Sequence, residues 1–179
     1  MRSFDASRWA PIALVCAAAP VHATQYLTVE QAQRALFPEA DAFAFAPIRL
    51  TPELRARLEA ESGVASRASE QRVWQASRNG QRLGSLMVDE VIGKHELITY
   101  AVAITADGAI RGLEVLDYRE SRGGEVRDPR WRAQFTGKRR GAPLRLDQDI
   151  QNLSGATLSC RHITEGVRRL LALHAVAAR

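Results

Sequence analysis

The sequence predicts an α+β fold, in which an antiparallel sheet of two hairpins packs against a C-terminal amphipathic helix, with N-terminal helices before the sheet. The turn residues Asn79-Gly80 and Ala106-Asp107-Gly108 each separate two runs rich in β-forming residues, which is typical of hairpins. The four predicted strands cover residues 73–77, 83–91, 97–105 and 109–118. The last helix, from about Ser159, is indicated by apolar residues at helical spacing: Ile163, Val167, Leu170, Leu171 and His174.

Two helices are predicted ahead of the sheet. Thr28 begins the first and is followed three residues later by Gln31, the spacing of a capping box, and Pro38 ends it. Thr51-Pro52-Glu53 begins the second with a capping residue and a proline at the first helical position, and Gly63 ends it. A third, short helix is predicted after the sheet, from residue 128 through residue 135.

Composition and charge exclude several classes of protein. With 179 residues, of which 46% are apolar and 25% charged, the chain can bury a core, so it is neither disordered nor collagen-like. Its two cysteines exclude a disulfide-rich scaffold and a four-cysteine metal site. The net charge of +5 is local, because residues 119–145 hold nine basic and three acidic side chains while the rest is nearly neutral. The chain is therefore not a general polycation.

Residues 1–23 have the pattern of a secretory signal peptide. Arg2 and Arg8 precede an apolar run of 11 residues, which is shorter than the roughly 20 that a membrane-spanning helix needs. Val21 and Ala23 provide the small residues that a signal peptidase prefers. We expect cleavage after Ala23 and a periplasmic protein, with association with the inner membrane as a further expectation. An uncleaved membrane anchor is the alternative.

The most specific string in the sequence is Ser154-Gly155-Ala156-Thr157, directly before the last helix. Gly155 and Ala156 leave the backbone approachable by a bulky ligand, and the hydroxyl of Thr157 can be esterified. The free N–H groups and the dipole at a helix N-terminus favour an anion such as phosphate. An ordinary helix cap is the alternative, because caps are commonly rich in Ser and Thr.

Three further stretches precede this string in a characteristic order. They are the strand pair of residues 91–110, the loop Y-R-E-S-R-G-G-E of residues 118–125, and the stretch of residues 131–138 that holds Trp131, Gln134-Phe135 and Gly137-Lys138. With them, residues 90 to 171 resemble the FMN-binding domain family of the Rnf and sodium-pumping NADH:quinone reductase subunits. The loop is similar to that family's H-x-E-T-P-G-x-G, and the Ser154–Thr157 string to its [S/T]-G-A-[T/S].

The resemblance implies a flavin site. Thr157 would carry FMN through a phosphoester, and a separate magnesium-dependent flavin transferase, working outside the cytoplasmic membrane with FAD as donor, would attach it. The other implied cofactor-binding residues are Ser154, Gly155, Ala156, Leu158, Glu120, Ser121 and Gly123. The chain would then comprise a signal peptide (residues 1–23), an N-terminal helical segment (24–68) and an FMN-binding domain (69–179).

The sequence departs from the family pattern at two places. The family usually has Asp three residues before the Ser of the attachment motif, where this chain has Gln151, with Asp149 two residues earlier. In the loop of residues 118–125, which we call the glutamate loop, Tyr118 stands in place of His, Ser121 in place of Thr, and Arg122 in place of Pro. Covalent attachment is therefore a separate expectation from flavin binding.

Other candidate groups have simpler interpretations. Trp131 and Phe135, four residues apart on the short helix, could shield the isoalloxazine ring, but core packing is favoured. Cys160 lacks the second cysteine that haem attachment requires, and although the first turn of a helix could lower the pKa of its thiol, a passive position is favoured. The histidines have no metal-ligand spacing, so we predict no metal site. The basic segment of residues 119–145 has three open interpretations. The default is a solvated face; the functional alternatives are attraction of the flavin phosphate and docking onto an acidic redox partner or an anionic lipid surface. Nucleic acid is not expected as a partner, because the protein is predicted to be exported and the segment has little aromatic interleaving for stacking on bases.

These observations together predict an exported FMN-binding electron-transfer protein that relays electrons to or from a membrane or periplasmic redox partner. No catalytic residues are predicted, because electron relay requires no general acid or base, so a redox module is favoured over an enzyme with its own substrate. The main alternative is a flavin-free periplasmic binding or adaptor domain with the same fold. A third possibility, an enzyme that reduces a small molecule, requires a substrate pocket.

Overall fold

The computed structural model describes residues 24–120 and 122–177, so the predicted signal peptide and Ser121 lie outside the described residues. The fold class is α+β, which confirms the prediction from the sequence. In chain order the elements are β1 (Thr24–Gln25), α1 (Val29–Leu36), β2 (Ala42–Phe45), β3 (Ile48–Arg49), α2 (Pro52–Ser62), β4 (Glu70–Arg78), β5 (Gln81–Ile92), β6 (Leu97–Thr105), β7 (Ile110–Tyr118), a 3₁₀ turn (Gly124–Arg127), α3 (Pro129–Ala133) and α4 (Thr157–Ala177).

Two antiparallel hairpins form the centre of the sheet, as predicted. The strand order is β1-β7-β6-β5-β4-β2, with β3 also paired to β4. At the end of the β5–β6 pair, Ile92 lies opposite Leu97. The N-terminal segment, which the sequence predicted to be helical, also adds the short strands β1, β2 and β3 to this sheet. Strands of two to four residues carry too little periodicity to be predicted from sequence.

Helices α1 and α2 begin and end where the capping signals indicated, whereas α3 ends at Ala133, two residues before its predicted end. Thr28 and Gln31 form the capping box of α1, each side chain accepting the backbone N–H of the other residue. Gly63 ends α2 in the left-handed conformation, with φ of 67°. The last helix, α4, begins at Thr157, two residues before the predicted start. Its first helical hydrogen bond runs from the N–H of Cys160 to the carbonyl of Ala156.

The sheet is covered on both faces. On one face, α4 buries its apolar stripe, including Ile163, Val167 and Leu170, in a core cluster with Tyr100 and Val102 of β6. On the other face, α1 and the residue after it pack with the alternate residues of the same strand: Leu36 and Phe37 cluster with Ala101 and Ala103. This alternation is the period of two expected of a strand buried on both sides.

Trp131 and Phe135 belong to the core. Their side chains are almost fully buried, and the two rings meet edge-on with centroids 5.1 Å apart. The indole N–H of Trp131 donates a hydrogen bond to the carbonyl of Gln151, 2.8 Å away. The packing interpretation of these aromatics is confirmed, and their role is to hold the chain that leads into α4.

Among the described residues, no helix has the length and apolar character that crossing a membrane requires.

Candidate functional site

Thr157 is the first residue of the 21-residue helix α4 and is half-buried. The turn before it depends on Gly155, whose φ of 84° is rarely adopted by other residues. The N–H of Ala156 closes this turn on the carbonyl of Leu153 at 3.0 Å. The backbone N–H groups of Thr157, Leu158 and Ser159 precede the first helical hydrogen bond. The hydroxyl of Thr157 therefore lies at the N-terminus of α4, where free backbone N–H groups attract an anion.

The residues of the Ser154–Thr157 string differ in what they offer a ligand. Ser154 and Gly155 are exposed, and a Cβ built on Gly155 would meet no atom within 4 Å, so the space above it is open. Ala156 is buried, with its methyl group directed at Gly123 of the glutamate loop, where an added Cβ would lie only 3.3 Å away. Leu158 is 38% exposed. Ala156 therefore joins the loop to the helix, while Ser154, Gly155 and Leu158 face solvent.

Glu120 holds the end of the β5–β6 hairpin. Its carboxylate accepts the backbone N–H groups of His95 and Glu96, and a Cβ on Gly93 would come within 2.7 Å of it. Partial desolvation alone would raise the pKa of Glu120, but the backbone N–H groups of residues 94–96 lower it below its usual range. Glu120 is therefore an ionised anchor that fixes the hairpin beside the glutamate loop. Ser121, its predicted partner at the flavin, lies outside the described residues.

Tyr118 links the glutamate loop to the first turn of α4. Its hydroxyl donates to the carbonyl of Arg122 at 2.6 Å and lies 3.2 Å from the hydroxyl oxygen of Ser159. Since the single hydrogen of the phenol is used on the carbonyl, Ser159 is the donor in the second bond. Sequence reasoning treated Tyr118 only as a departure from the family and did not find Ser159.

A groove of about 400 Å³ opens beside Thr157 and carries several cations. Arg145, Arg161 and Arg168 line it together with Asn152 and two carboxylates, those of Asp147 and Glu165, so the arginines are in excess by one. Thr157, Arg161 and Arg168 stand at positions i, i+4 and i+11 of α4, which places them on one face of the helix. The sequence analysis missed these arginines, although their helical spacing from Thr157 was readable once the helix start was known.

Two buried polar atoms on this groove have no hydrogen-bond partner among the described residues. They are Oδ1 of Asn152 and Nε of Arg168. Buried polar groups are normally paired, because leaving one unpaired costs about 1–3 kcal/mol. An acceptor and a cationic donor beside the Thr157 hydroxyl suit a ligand that carries both hydroxyl groups and an oxyanion, such as a ribityl phosphate. The residues present therefore fit the group that the resemblance implied.

Comparison with known proteins agrees with this geometry. A model of the FMN-binding domain family matches residues 93–172, a range that spans the glutamate loop and Thr157. Residues 93–172 form an FMN-binding domain. The FMN prediction is thereby confirmed. The crystal structure of NqrC from Shewanella oneidensis resembles this chain with a TM-score of 0.50 and 18% identity, covering 76% of this chain and 79% of that one, which shows a shared fold. No curated protein matches the sequence.

Within the FMN-binding domain, Asp149 is already fully engaged. One carboxylate oxygen accepts from Nζ of Lys138 at 2.9 Å and from the N–H of Leu144 at 3.1 Å, and the other accepts from the N–H of Arg145 at 2.8 Å. The pKa of Asp149 is lowered, since these bonds outweigh its desolvation. Gln151, in contrast, is exposed. Asp149 serves the fold of the loop and does not lie where the family's motif places its acid.

The basic segment of the domain is not a continuous positive face. Six of its nine basic residues lie within ion-pair distance of carboxylates: Arg119 with Asp117, Arg130 with Asp128, Arg132 with Glu114, Lys138 with Asp149, Arg139 with Asp107, and Arg140 with Glu61. Arg127 lies over the ring of Tyr26, 3.4 Å from its centroid. Most of the local excess of charge therefore ties loops to the sheet and to α2, and the cations at Thr157 come largely from α4 instead.

Cys160 and His162 have structural positions in the domain. Burial raises the pKa of the Cys160 thiol, so the passive position favoured from the sequence holds and the thiol is not activated. Nδ1 of His162 contacts the carbonyl oxygen of Ile92, which fastens the second turn of α4 to the end of β5. Within residues 24–120 and 122–177, no group of three or more His, Cys, Asp or Glu side chains could hold a metal ion.

Proposed function

We propose that this chain is an exported electron-transfer protein that carries FMN as a phosphoester on Thr157 and relays electrons to or from a membrane or periplasmic redox partner. The observation that carries the proposal is the position of Thr157. Its hydroxyl belongs to the first residue of α4, on the wall of an arginine-lined groove, inside the segment that matches the FMN-binding domain family.

The residues around Thr157 suit a phosphate. The N–H groups of the first turn of α4 and the positive end of its dipole stabilise an anion there. Arg161, one turn further along the same face, adds a full positive charge. A charge-assisted hydrogen bond of this kind contributes about 1.5–3 kcal/mol. The chain thus binds and orients the phosphate, and FMN when bound supplies the one- and two-electron chemistry.

An apolar surface for the flavin ring lies on the next face of the same helix. Leu158 is exposed directly beside Thr157, and His162, one turn on, contacts the end of β5. At that end, the cross-strand neighbours Ile92 and Leu97 are 59% and 38% exposed. Large apolar side chains exposed together commonly mark a ligand or partner surface. A ring tethered to Thr157 and packed here would exclude water from its own edge and from these side chains.

Export and maturation are supported by the sequence pattern. The signal-like residues 1–23 would direct the chain to the periplasm, where the flavin transferase of the proposal works. Association with the inner membrane belongs to the same proposal, because the redox partner would be a membrane or periplasmic protein. The exposed apolar residues at the end of the β5–β6 hairpin are the surface through which such a partner would approach the flavin.

The test is to express the full chain with a flavin transferase and examine it after denaturation. We expect flavin fluorescence in the denatured band and an intact mass increased by one FMN. Both should disappear in Thr157→Ala and persist in Ser154→Ala, the matched control for a hydroxyl in the same turn. Fluorescence that follows Ser154 instead of Thr157 would contradict the assigned attachment residue.

The alternative, a flavin-free binding or adaptor domain, gives a different result in the same experiment. It predicts a folded chain that contains no flavin, either attached or released on denaturation. Flavin that is released on denaturation would separate the two halves of the proposal, since it would support FMN binding and contradict the phosphoester.

A further inference from the structure

A second cavity, of about 570 Å³, lies between the end of α2, the loop of residues 139–145 and α4. It adjoins the Thr157 groove, because Leu144, Arg145 and Arg168 line both. Its volume lies within the range of about 300–1,000 Å³ that is typical of small-molecule sites. Nothing in the family match concerns the α2 side of this cavity, which lies before residue 93.

The charges of the cavity are strongly one-sided. Four arginines line it, Arg139, Arg140, Arg145 and Arg168, against one lining carboxylate, that of Glu61, and Arg139 is also paired with Asp107 outside the cavity. Glu61 is engaged with Nε of Arg140, which leaves the terminal nitrogens of that guanidinium for another acceptor. The cavity therefore presents an excess of positive charge in a concave site, where an anion is attracted more strongly than on a flat surface.

Arg168, which lines both this cavity and the Thr157 groove, supplies a further indication. Its Nε is buried and has no hydrogen-bond partner among the described residues. A buried guanidinium donor without a partner is costly, and an oxyanion is the acceptor that matches its geometry best. Apolar side chains also line the cavity: Leu144 of the loop, and Leu171 and Ala172, which lie on the same face of α4 as Arg168. The cavity thus combines cationic donors with an apolar wall.

We propose that this cavity binds a small organic oxyanion, that is, a carboxylate or phosphate attached to an apolar body. The oxyanion pairs with Arg168 and Arg140, and the body packs on Leu171 and Ala172. The site shares Arg168 with the Thr157 groove, but Arg140, Leu171 and Ala172 line only this cavity, and it does not require FMN. It provides the pocket that a small-molecule substrate or effector of the flavoprotein would occupy.

The test uses matched probes with the purified full chain, prepared without flavin. Phenyl phosphate and benzoate share one apolar ring and differ in the oxyanion, while benzyl alcohol is the neutral control. We expect a saturable shift of the Arg168 Nε–Hε resonance in nitrogen-15 NMR spectra with at least one anion and none with benzyl alcohol. The anion that binds more tightly identifies the preferred class.

Variants locate the binding. Arg168→Gln and Arg140→Gln should each weaken binding about tenfold or more by calorimetry, as expected for the loss of a charged hydrogen bond. Arg130→Gln is the matched control, since its side chain is 94% exposed and lies outside the cavity. Arg140→Gln removes only an exposed ion pair, so it keeps the test valid if Arg168→Gln does not fold. The proposal is overturned if neither anion gives a saturable shift, or if Arg130→Gln weakens binding as much as Arg140→Gln does.

The same titration of Thr157→Ala keeps this proposal separate from the proposed function. Binding should be unchanged in that variant, because Thr157 does not line the cavity. Loss of anion binding in Thr157→Ala, with binding unaffected in Arg140→Gln, would place the anion in the Thr157 groove and contradict the second site.

Discussion

The hydroxyl of Tyr100 occupies the space where a side chain on Gly166 would begin, since a Cβ built on Gly166 would lie 1.9 Å from it. Tyr100 is fully buried in β6, and its hydroxyl donates to the carboxylate of Asp89 at 2.6 Å. The same carboxylate oxygen accepts from Arg169 of α4, also at 2.6 Å. Gly166 thus lets α4 approach the sheet closely enough for Arg169 of the helix and Asp89 of β5 to form a largely buried ion pair.

Gly166→Ala is expected to destabilise the protein. Helix propensity alone would favour alanine by about 1 kcal/mol. Overpacking against a buried phenol costs about 1–3 kcal/mol, and disturbing its hydrogen bond costs a further 1–3 kcal/mol. The steric effect should win, with a net loss of about 2 kcal/mol in the free energy of unfolding, measured by urea denaturation.

Gly124→Ala is the control for that loss, because a Cβ there would meet no atom within 4 Å. We expect its unfolding free energy to stay within about 0.5 kcal/mol of the parent protein. Adding Tyr100→Phe to Gly166→Ala removes the clashing oxygen and should recover part of the lost stability. A double variant less stable than the sum of its two single changes would contradict this explanation.

Tyr118→Phe tests the link between the glutamate loop and α4. The change leaves the carbonyl of Arg122 and the hydroxyl of Ser159 without their shared partner. Each such loss costs about 1 kcal/mol, so we expect a decrease of about 1–2 kcal/mol in unfolding free energy. The dissociation constant for added FMN should also rise, since the loop is then free of the helix that bears Thr157. Ser159→Ala breaks only one of the two bonds and should cost about half as much.

The buried histidine of α4 predicts a dependence of stability on pH. Desolvation, with a contribution from Arg82, lowers the pKa of His174 below its usual 6.5. The unfolded chain therefore binds a proton at a higher pH than the folded one, so the free energy of unfolding falls as pH drops below about 6.5. His174→Leu should flatten this decline between pH 6.5 and 5, measured by thermal unfolding. His95→Gln, a change at an exposed histidine, should leave it as steep as in the parent.

Much of the fold was predictable because its signals are local. The capping box at Thr28, the left-handed Gly63 and the two hairpin turns each act through residues a few positions apart. The strands β1 to β3 were not predictable, because two to four residues show no period and are held by β4 and β7 from elsewhere in the chain.

The candidate site divides in the same way. Thr157 and its glycine turn were readable as a string, whereas the groove beside them is assembled from α4 and the loop before it. The basic segment was counted correctly but interpreted without the carboxylates of Asp107, Glu114 and Glu61 that the fold brings to it. Net charge along a chain cannot reveal partners that are distant in sequence.

Gln151→Asp tests whether the departure from the family's motif limits flavin attachment. Gln151 is exposed three residues before Ser154, and Asp149 is held by Lys138 and two backbone N–H groups, so it cannot take over the role without breaking them. If the transferase recognises an acid at this position, Gln151→Asp should raise the attached fraction several-fold under limiting transferase, measured as the ratio of loaded to unloaded intact mass. Asp149→Asn should instead lower the stability of the chain by about 1–3 kcal/mol, because it breaks a charged, partly buried network. An unchanged loaded fraction in Gln151→Asp, with attachment still at Thr157, would show that the transferase recognises the Gly155–Thr157 turn without that acid.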